Sequence, residues 1–207
     1  MTGVCDSECA AYSKKVEYTK RKIRGAFLQL CTQKRLEAIT IKELTSLAGI
    51  NRSTFYSHYT DIYDLRDQVL NDFTFLAYQQ AVPAITRIVN GDYSDEDIKY
   101  LMDFYNENMT VFRAFLGKNF DPQLMERMHN VAKSLVYTKV AESNQKSSLH
   151  VDYVLEYIAA GHTAIITKWA LSEVAISTEE LITLIKGITM EGPIAFLLKA
   201  DSKGPAD

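Results

Sequence analysis

The chain is poor in residues that interrupt helices and in residues that cross-link or catalyse. Its 207 residues include 4 prolines, 9 glycines, 3 cysteines and one tryptophan. With so few helix breakers, helices can run long, and an all-α fold is expected. Cys5, Cys9 and Cys31 are an odd set, and no second ligand pair accompanies the first two. Free reduced thiols are therefore expected, not a disulfide or a metal site. No apolar run approaches the roughly 20 residues needed to cross a bilayer. The opening residues, with Asp6 and Glu8, do not follow a secretory signal pattern, so no membrane association and a cytoplasmic location are expected. The glycine-rich phosphate loop, His-Glu-x-x-His, Cys-x-x-Cys and Gly-x-Ser-x-Gly patterns are all missing. Asp95, Glu96 and Asp97 bring three carboxylates together, but the start of a helix explains them through the helix dipole. No enzyme activity, catalytic residue, metal or cofactor is expected.

At 47% hydrophobic residues the chain can hold one small and one medium core. Its net charge of −3 hides an asymmetry. Between residues 18 and 60, eight basic residues (Lys20, Arg21, Lys22, Arg24, Lys34, Arg35, Lys42, Arg52) face two acids (Glu37, Glu43), a surplus of six. A basic N-terminal region on an acidic protein suggests one face for a polyanion.

Within that region, residues 40–61 read as two short helices joined by a glycine turn. Thr40 can cap the first, and Glu43 three residues on can reach back to it as a capping box. Ile41, Leu44, Leu47 and Ala48 then recur on one face, with Lys42, Glu43 and Ser46 on the other. Gly49 supplies a left-handed helix end, Ile50 fills the corner, and Asn51 can cap the next helix. Two helices with this connection form the helix-turn-helix pattern. The second helix, about Arg52 to Tyr59, buries Phe55 and one tyrosine edge and leaves its other side chains facing outward. Its first turn is the part that meets base edges. Arg52, Ser53 and Thr54 are the candidate base contacts, and Thr40, Lys42, Tyr56, His58 and Tyr59 the candidate phosphate contacts. Upstream, Ile23, Ala26, Phe27, Leu30 and Cys31 form the inward stripe of a first helix.

The run from Ile39 to Tyr59, followed by Asp61 and Leu65, resembles the DNA-binding domain of TetR (tetracycline repressor) type transcriptional regulators over residues 16–76. Ala48-Gly49, the Ser-Thr-Phe-Tyr run and the Tyr-x-His-Tyr tail match in order and spacing. The resemblance implies an N-terminal three-helix helix-turn-helix domain and a C-terminal helical bundle that dimerises and holds a small-molecule effector. It also implies a repressor that binds a palindromic double-stranded DNA operator as a homodimer. The chain departs from the family at Ser57, Thr60 and Ile62, where basic residues are common. Each lost phosphate contact lowers affinity and its salt dependence, so a shallower salt slope is expected than for a typical member. The alternative is a regulator-like coactivator or adaptor that binds a protein or metabolite, with weakened DNA binding.

The expected organisation is a disordered tail at 1–15, the reading domain at 16–76, the helical effector and dimerisation domain at 77–200, and a tail at 201–207. A fourth helix carries Leu65, Val69, Phe73 and Leu76 inward and should end or kink at Pro83. Further helices follow from Ser94, from Met109 to Leu116, and from Asp121-Pro122 to about Ser143 with Leu124, Met128, Val131, Leu135 and Val136 inward. A polar connection is expected at Asn144 to Ser148. The last two helices, about 150–172 and 178–199, carry small residues (Ala159, Ala160, Gly161, Ala164, Gly187, Gly192) and surplus apolar ones, including Tyr157, Trp169, Ile194 and Leu197. They are the expected dimer interface. Phe104, Phe112, His129, Tyr153 and His162 are the candidate effector contacts, drawn from a wider set with Tyr78, Phe115 and Tyr137. Aromatic residues at helical spacing are core packing more often than ligand contacts.

Overall fold

The computed structural model describes residues 4–90, 92, 94–142 and 149–192, with side chains characterised except at 4–12, 88–90, 132, 135–142, 149–152, 155 and 190. The side chains of Cys5, Cys9, Leu135, Val136 and Tyr137, the connection at 144–148, and the segment from 193 with Ile194, Leu197 and the expected tail lie outside the described residues. All regular structure among the described residues is helical. The chain divides into two compact units, one of Met1–Phe73 with Arg113–Phe120 and one of Thr74–Phe112 with Asp121–Asp207.

The first unit contains α1 (Val4–Gln33), a single 3-10 turn at Leu36–Ala38, α2 (Ile41–Ala48), α3 (Arg52–Tyr56) and the start of α4 (Ile62–Asn90). α1 starts at Val4, so the 1–15 stretch expected as a disordered tail is helical from that residue. Its inward stripe is the expected one: Ile23, Ala26, Phe27, Leu30 and Cys31 are all buried. Burial pushes the Cys31 thiol up to about 12, which leaves it protonated and unreactive. Leu44 and Ala48 of α2, Phe55 of α3 and Leu65, Val69 and Phe73 of α4 complete the core.

The unit also takes in the end of α6 (Met109–Leu116) and the loop after it. Phe115 packs against Phe27 with ring centroids 6.3 Å apart. Asn119 fastens the end of α1. Its amide donates to the carbonyls of Cys31 and Lys34 at 2.7 and 2.9 Å, and its oxygen accepts from the Leu36 amide at 2.6 Å. Lys118 donates to the Gln33 carbonyl at 2.9 Å. A helix end leaves carbonyls unpaired, and this loop supplies their donors.

The second unit holds the remainder of α4, then α5 (Asp95–Glu107), α7 (Pro122–Glu142), α8 (Leu149–Leu171) and α9 (Thr178–Glu191). α4 does not end at Pro83, which lies inside the helix and is exposed. A proline removes one backbone donor, and on an exposed face water can serve the carbonyl it leaves free. Ser94 and Asp97 form a capping box at α5. Arg87 clamps Asp97, with its Nε donating to Oδ1 at 2.7 Å. At α7, Asp121 accepts from the amides of Gln123 and Leu124 at 2.9 and 3.2 Å. Leu124 is fully buried, while Met128 and Val131 are only half-buried. The core centres on Tyr105, whose ring meets Phe104, Phe112 and Trp169 at 5.7–5.9 Å. Trp169 donates through its indole to the Ile176 carbonyl at 2.8 Å, pinning the α8–α9 connection. α9 opens on a Ser177–Glu180 capping box and ends at Glu191 with Gly192 at φ 87° as its cap, and the rest of the expected 178–199 segment lies outside the described residues.

Candidate nucleic-acid interface

α2 starts where Thr40 accepts from the Glu43 amide at 3.2 Å. The reciprocal half of the expected box is absent, because the Glu43 carboxylate turns to Lys34 as an ion pair. The buried face of α2 also differs from the expected stripe: Thr45 is buried, with its hydroxyl donating to the Ile41 carbonyl at 2.8 Å, and Leu47 is 46% exposed. Side chains on a helix this short are selected by the neighbouring helix as well as by their spacing. Gly49 takes φ 63° and ψ 44°, the left-handed geometry the turn requires. Asn51 holds the N-cap position of α3 without a side-chain hydrogen bond, so its expected capping contact is not made.

α3 is one and a half turns long and ends at Tyr56, not at Tyr59. Phe55 is its buried anchor, in edge contact with Tyr56 and tilted contact with Tyr59. Arg52 and Ser53 are exposed on its first turn, and Thr54 is half-buried. Tyr56 is 58% exposed, His58 is half-buried, and Thr40 and Lys42 are exposed on α2. Tyr59 departs from its expected role as a phosphate contact. It is 2% exposed, and no partner completes a hydrogen bond to its hydroxyl. Burial raises the pKa of that hydroxyl, an effect partly offset by the neighbouring Arg24 guanidinium. A side chain shut inside the core cannot reach a phosphate, and Tyr59 is a packing residue.

The basic surplus is divided by the same folding. Arg24 pairs with Asp72 of α4, and its Nε is buried without a partner. Lys34 is held by Glu43. Arg21, Lys22, Arg35, Lys42 and Arg52 are exposed. At the start of α4, Ile62 is buried. Asp61 accepts from the amides of Tyr63 and Asp64 at 2.8 and 2.9 Å, and Asp64 accepts from the Thr60 amide at 2.8 Å. Hydrogen bonds from the Gln68 side chain and then from the Thr60 amide hold the Asp64 carboxyl below its ordinary range. The helix start is thus served by carboxylates.

In the second unit, the residues expected around an effector have the following surroundings. Phe104 and Phe112 are closed into the Tyr105 cluster. Tyr153 is 69% exposed. His129 lies near Glu156, which pairs with Lys133. His162 Nε2 lies 2.7 Å from the Thr189 hydroxyl, which itself donates to the Ile185 carbonyl at 2.6 Å. Thr189 therefore accepts, and His162 carries its proton on Nε2. Burial lowers its pKa and favours the neutral ring.

Residues 92–191 match a TetR-type family model described as "Transcriptional regulator C-terminal region". An all-helical chain that joins such a C-terminal region to an N-terminal helix-turn-helix defines a class of transcriptional regulator. Over that C-terminal region the chain is similar to the TetR family. Solved structures share its fold. The TetR transcriptional regulator from Streptococcus agalactiae 2603V is 19% identical, with a TM-score of 0.59 over 87% of this chain and 98% of that one. The dihydroxyacetone kinase operon activator DhaS is 21% identical, with a TM-score of 0.54 over 89% and 97%. The fatty acid degradation regulator FadR from Bacillus halodurans is 11% identical, with a TM-score of 0.61 over 84% and 95%.

Proposed function

We propose that the chain acts as a homodimer that lays α3 of each subunit into successive major grooves of a palindromic operator and represses transcription until a small-molecule effector releases it. The observation that carries the DNA-reading part is the division of labour on α3. Phe55 alone anchors the helix, while Arg52, Ser53 and Tyr56 stay in solvent on a helix whose first turn is the base-reading part of such motifs. Arg52 is assigned to bases with Ser53 and Thr54, and Thr40, Lys42, Tyr56 and His58 to phosphates.

Dimerisation is supported by the outer face of α8. Tyr153 and Tyr157, 69% and 62% exposed, share a stripe with Ala160, Gly161 and Ala164, exposed at spacings of three or four, and past Lys168 the same face reaches the exposed Leu171. A lone subunit would leave this apolar, small-residue face wet. An effector in the second unit would shift the equilibrium only by its differential affinity for the two states, and α4, which belongs to both units, is the assigned link.

A second reading, an activator or coactivator with weakened DNA binding, is favoured by the buried Ile62 and the carboxylates beside it. One of the structures that shares the fold also bears the name of an operon activator. Sequencing the DNA that co-purifies with the dimer, followed by a reporter fused to the recovered site, tests both readings. A palindromic site whose reporter rises on deletion of the protein supports repression. A reporter that falls supports activation, and no enriched DNA supports the adaptor.

A further inference from the structure

Among the described side chains of α1, which start at Ser13, burial begins at Ile23. Before it, Lys14, Lys15, Tyr18, Arg21 and Lys22 are all exposed. On a helix turning 100° per residue, these five positions fall on one stripe. The stripe is real in the structure, since the Lys22 ammonium sits over the Tyr18 ring, 5.5 Å from its centroid. Glu17, the single acid between Ser13 and Lys22, stands at its edge.

The stripe is also continuous with the reading head. Lys22 Nζ lies 3.8 Å from where a β-carbon on Gly49 would be, which places it at the helix-turn-helix corner. Further along the same face, Gln29 and Gln33 line an open groove together with Thr40, Lys42 and Ser46. Two of those, Thr40 and Lys42, are the assigned phosphate contacts of α2.

We propose that this basic stripe lies along the phosphate backbone outside the half-site, so that α1 extends the DNA contact face beyond the three-helix head. This inference rests on the DNA-binding reading above. Charge complementarity selects the partner: four cations and one aromatic ring on a face continuous with a DNA-reading surface suit a duplex backbone. From Ile23 back to Lys14 the helix covers about 14 Å at 1.5 Å per residue, or about four base-pair rises. The stripe offsets contacts missing at Ser57, Thr60 and Ile62, so the expected shallow salt slope is recovered in part.

The test measures binding of the full-length protein to a 40-base-pair random-sequence duplex by fluorescence anisotropy between 50 and 200 mM NaCl. Lys14→Gln with Lys15→Gln should reduce the slope of log affinity against log salt by about 1.8 per subunit, near 0.9 for each phosphate released. Lys99→Gln, exposed on α5, should leave it unchanged. Circular dichroism of both variants should match the wild type. An unchanged slope in the double variant would overturn the extension and leave the DNA-binding reading intact. An equal fall in Lys99→Gln would reduce the effect to net charge and overturn it too. A wild-type protein with no salt-dependent DNA binding would overturn both.

Discussion

Arg52 stays in solvent because Phe55 fills the core alone, which suits the base-reading role proposed for it. Arg52→Ala should relax base choice at one operator position by about 1–3 kcal/mol, whereas Tyr56→Ala should weaken binding to all sequences alike. Competition binding with single-base operator variants checks both, and the reverse pattern would exchange the two roles. Tyr59 belongs to the opposite case. Because its buried hydroxyl completes no hydrogen bond, Tyr59→Phe should leave DNA affinity as it is and shift stability by less than about 1 kcal/mol. Tyr59→Ala should lose about 3–5 kcal/mol in urea unfolding. A uniform loss of DNA affinity in Tyr59→Phe would return Tyr59 to the phosphate set. The exposure of Arg52 could be read from its place beside a cap and a lone aromatic. The burial of Tyr59 could not, since it lies beyond the end of α3, where helical phase no longer fixes which way a side chain points.

Helix starts were the most legible elements, because a serine or threonine cap is written within four residues. Ser94 with Asp97 and Thr40 with the Glu43 amide both form at the expected places. What escaped was set by partners distant in sequence or by polar helix without an apolar stripe. Asn119 meets the end of α1 from 85 to 88 residues away, and the first turns of α1 carry charges that a helix and a tail would share. The α5 cap also makes a pH prediction. The Asp97 carboxyl is held down to about 2, first by the Arg87 guanidinium and then by the Ser94 amide. Its folded pKa is thus below its unfolded value near 3.9. The stabilisation it gives is fully present above about pH 4 and is lost as pH falls toward about 2. Asp97→Asn should flatten that part of the acid-unfolding curve followed by circular dichroism. A wild-type curve unchanged by the substitution would show that the clamp has no energetic role.

At the scale of the whole molecule, the place of Arg113–Phe120 in the first unit was not legible in the sequence, since no local pattern marks a chain that returns to an earlier core. The exposed face of α8 allows the assembly to be tested separately from the fold. A β-carbon on Gly161 would meet nothing within 4 Å in the subunit. Gly161→Leu should therefore keep the helical circular dichroism signal, while bulk on a closely packed face separates the subunits. Sedimentation velocity would show a monomer, and an intact dimer would move the interface elsewhere.

The central claim is a pair of identical reading heads placed on DNA by a two-fold axis. Footprinting the purified protein on the sequence it enriches tests it most directly. The account predicts protection of two inverted half-sites about 34–36 Å apart, centre to centre, with protection lost in Gly161→Leu. A single unrepeated footprint, or no sequence enriched over random DNA at low salt, would contradict it.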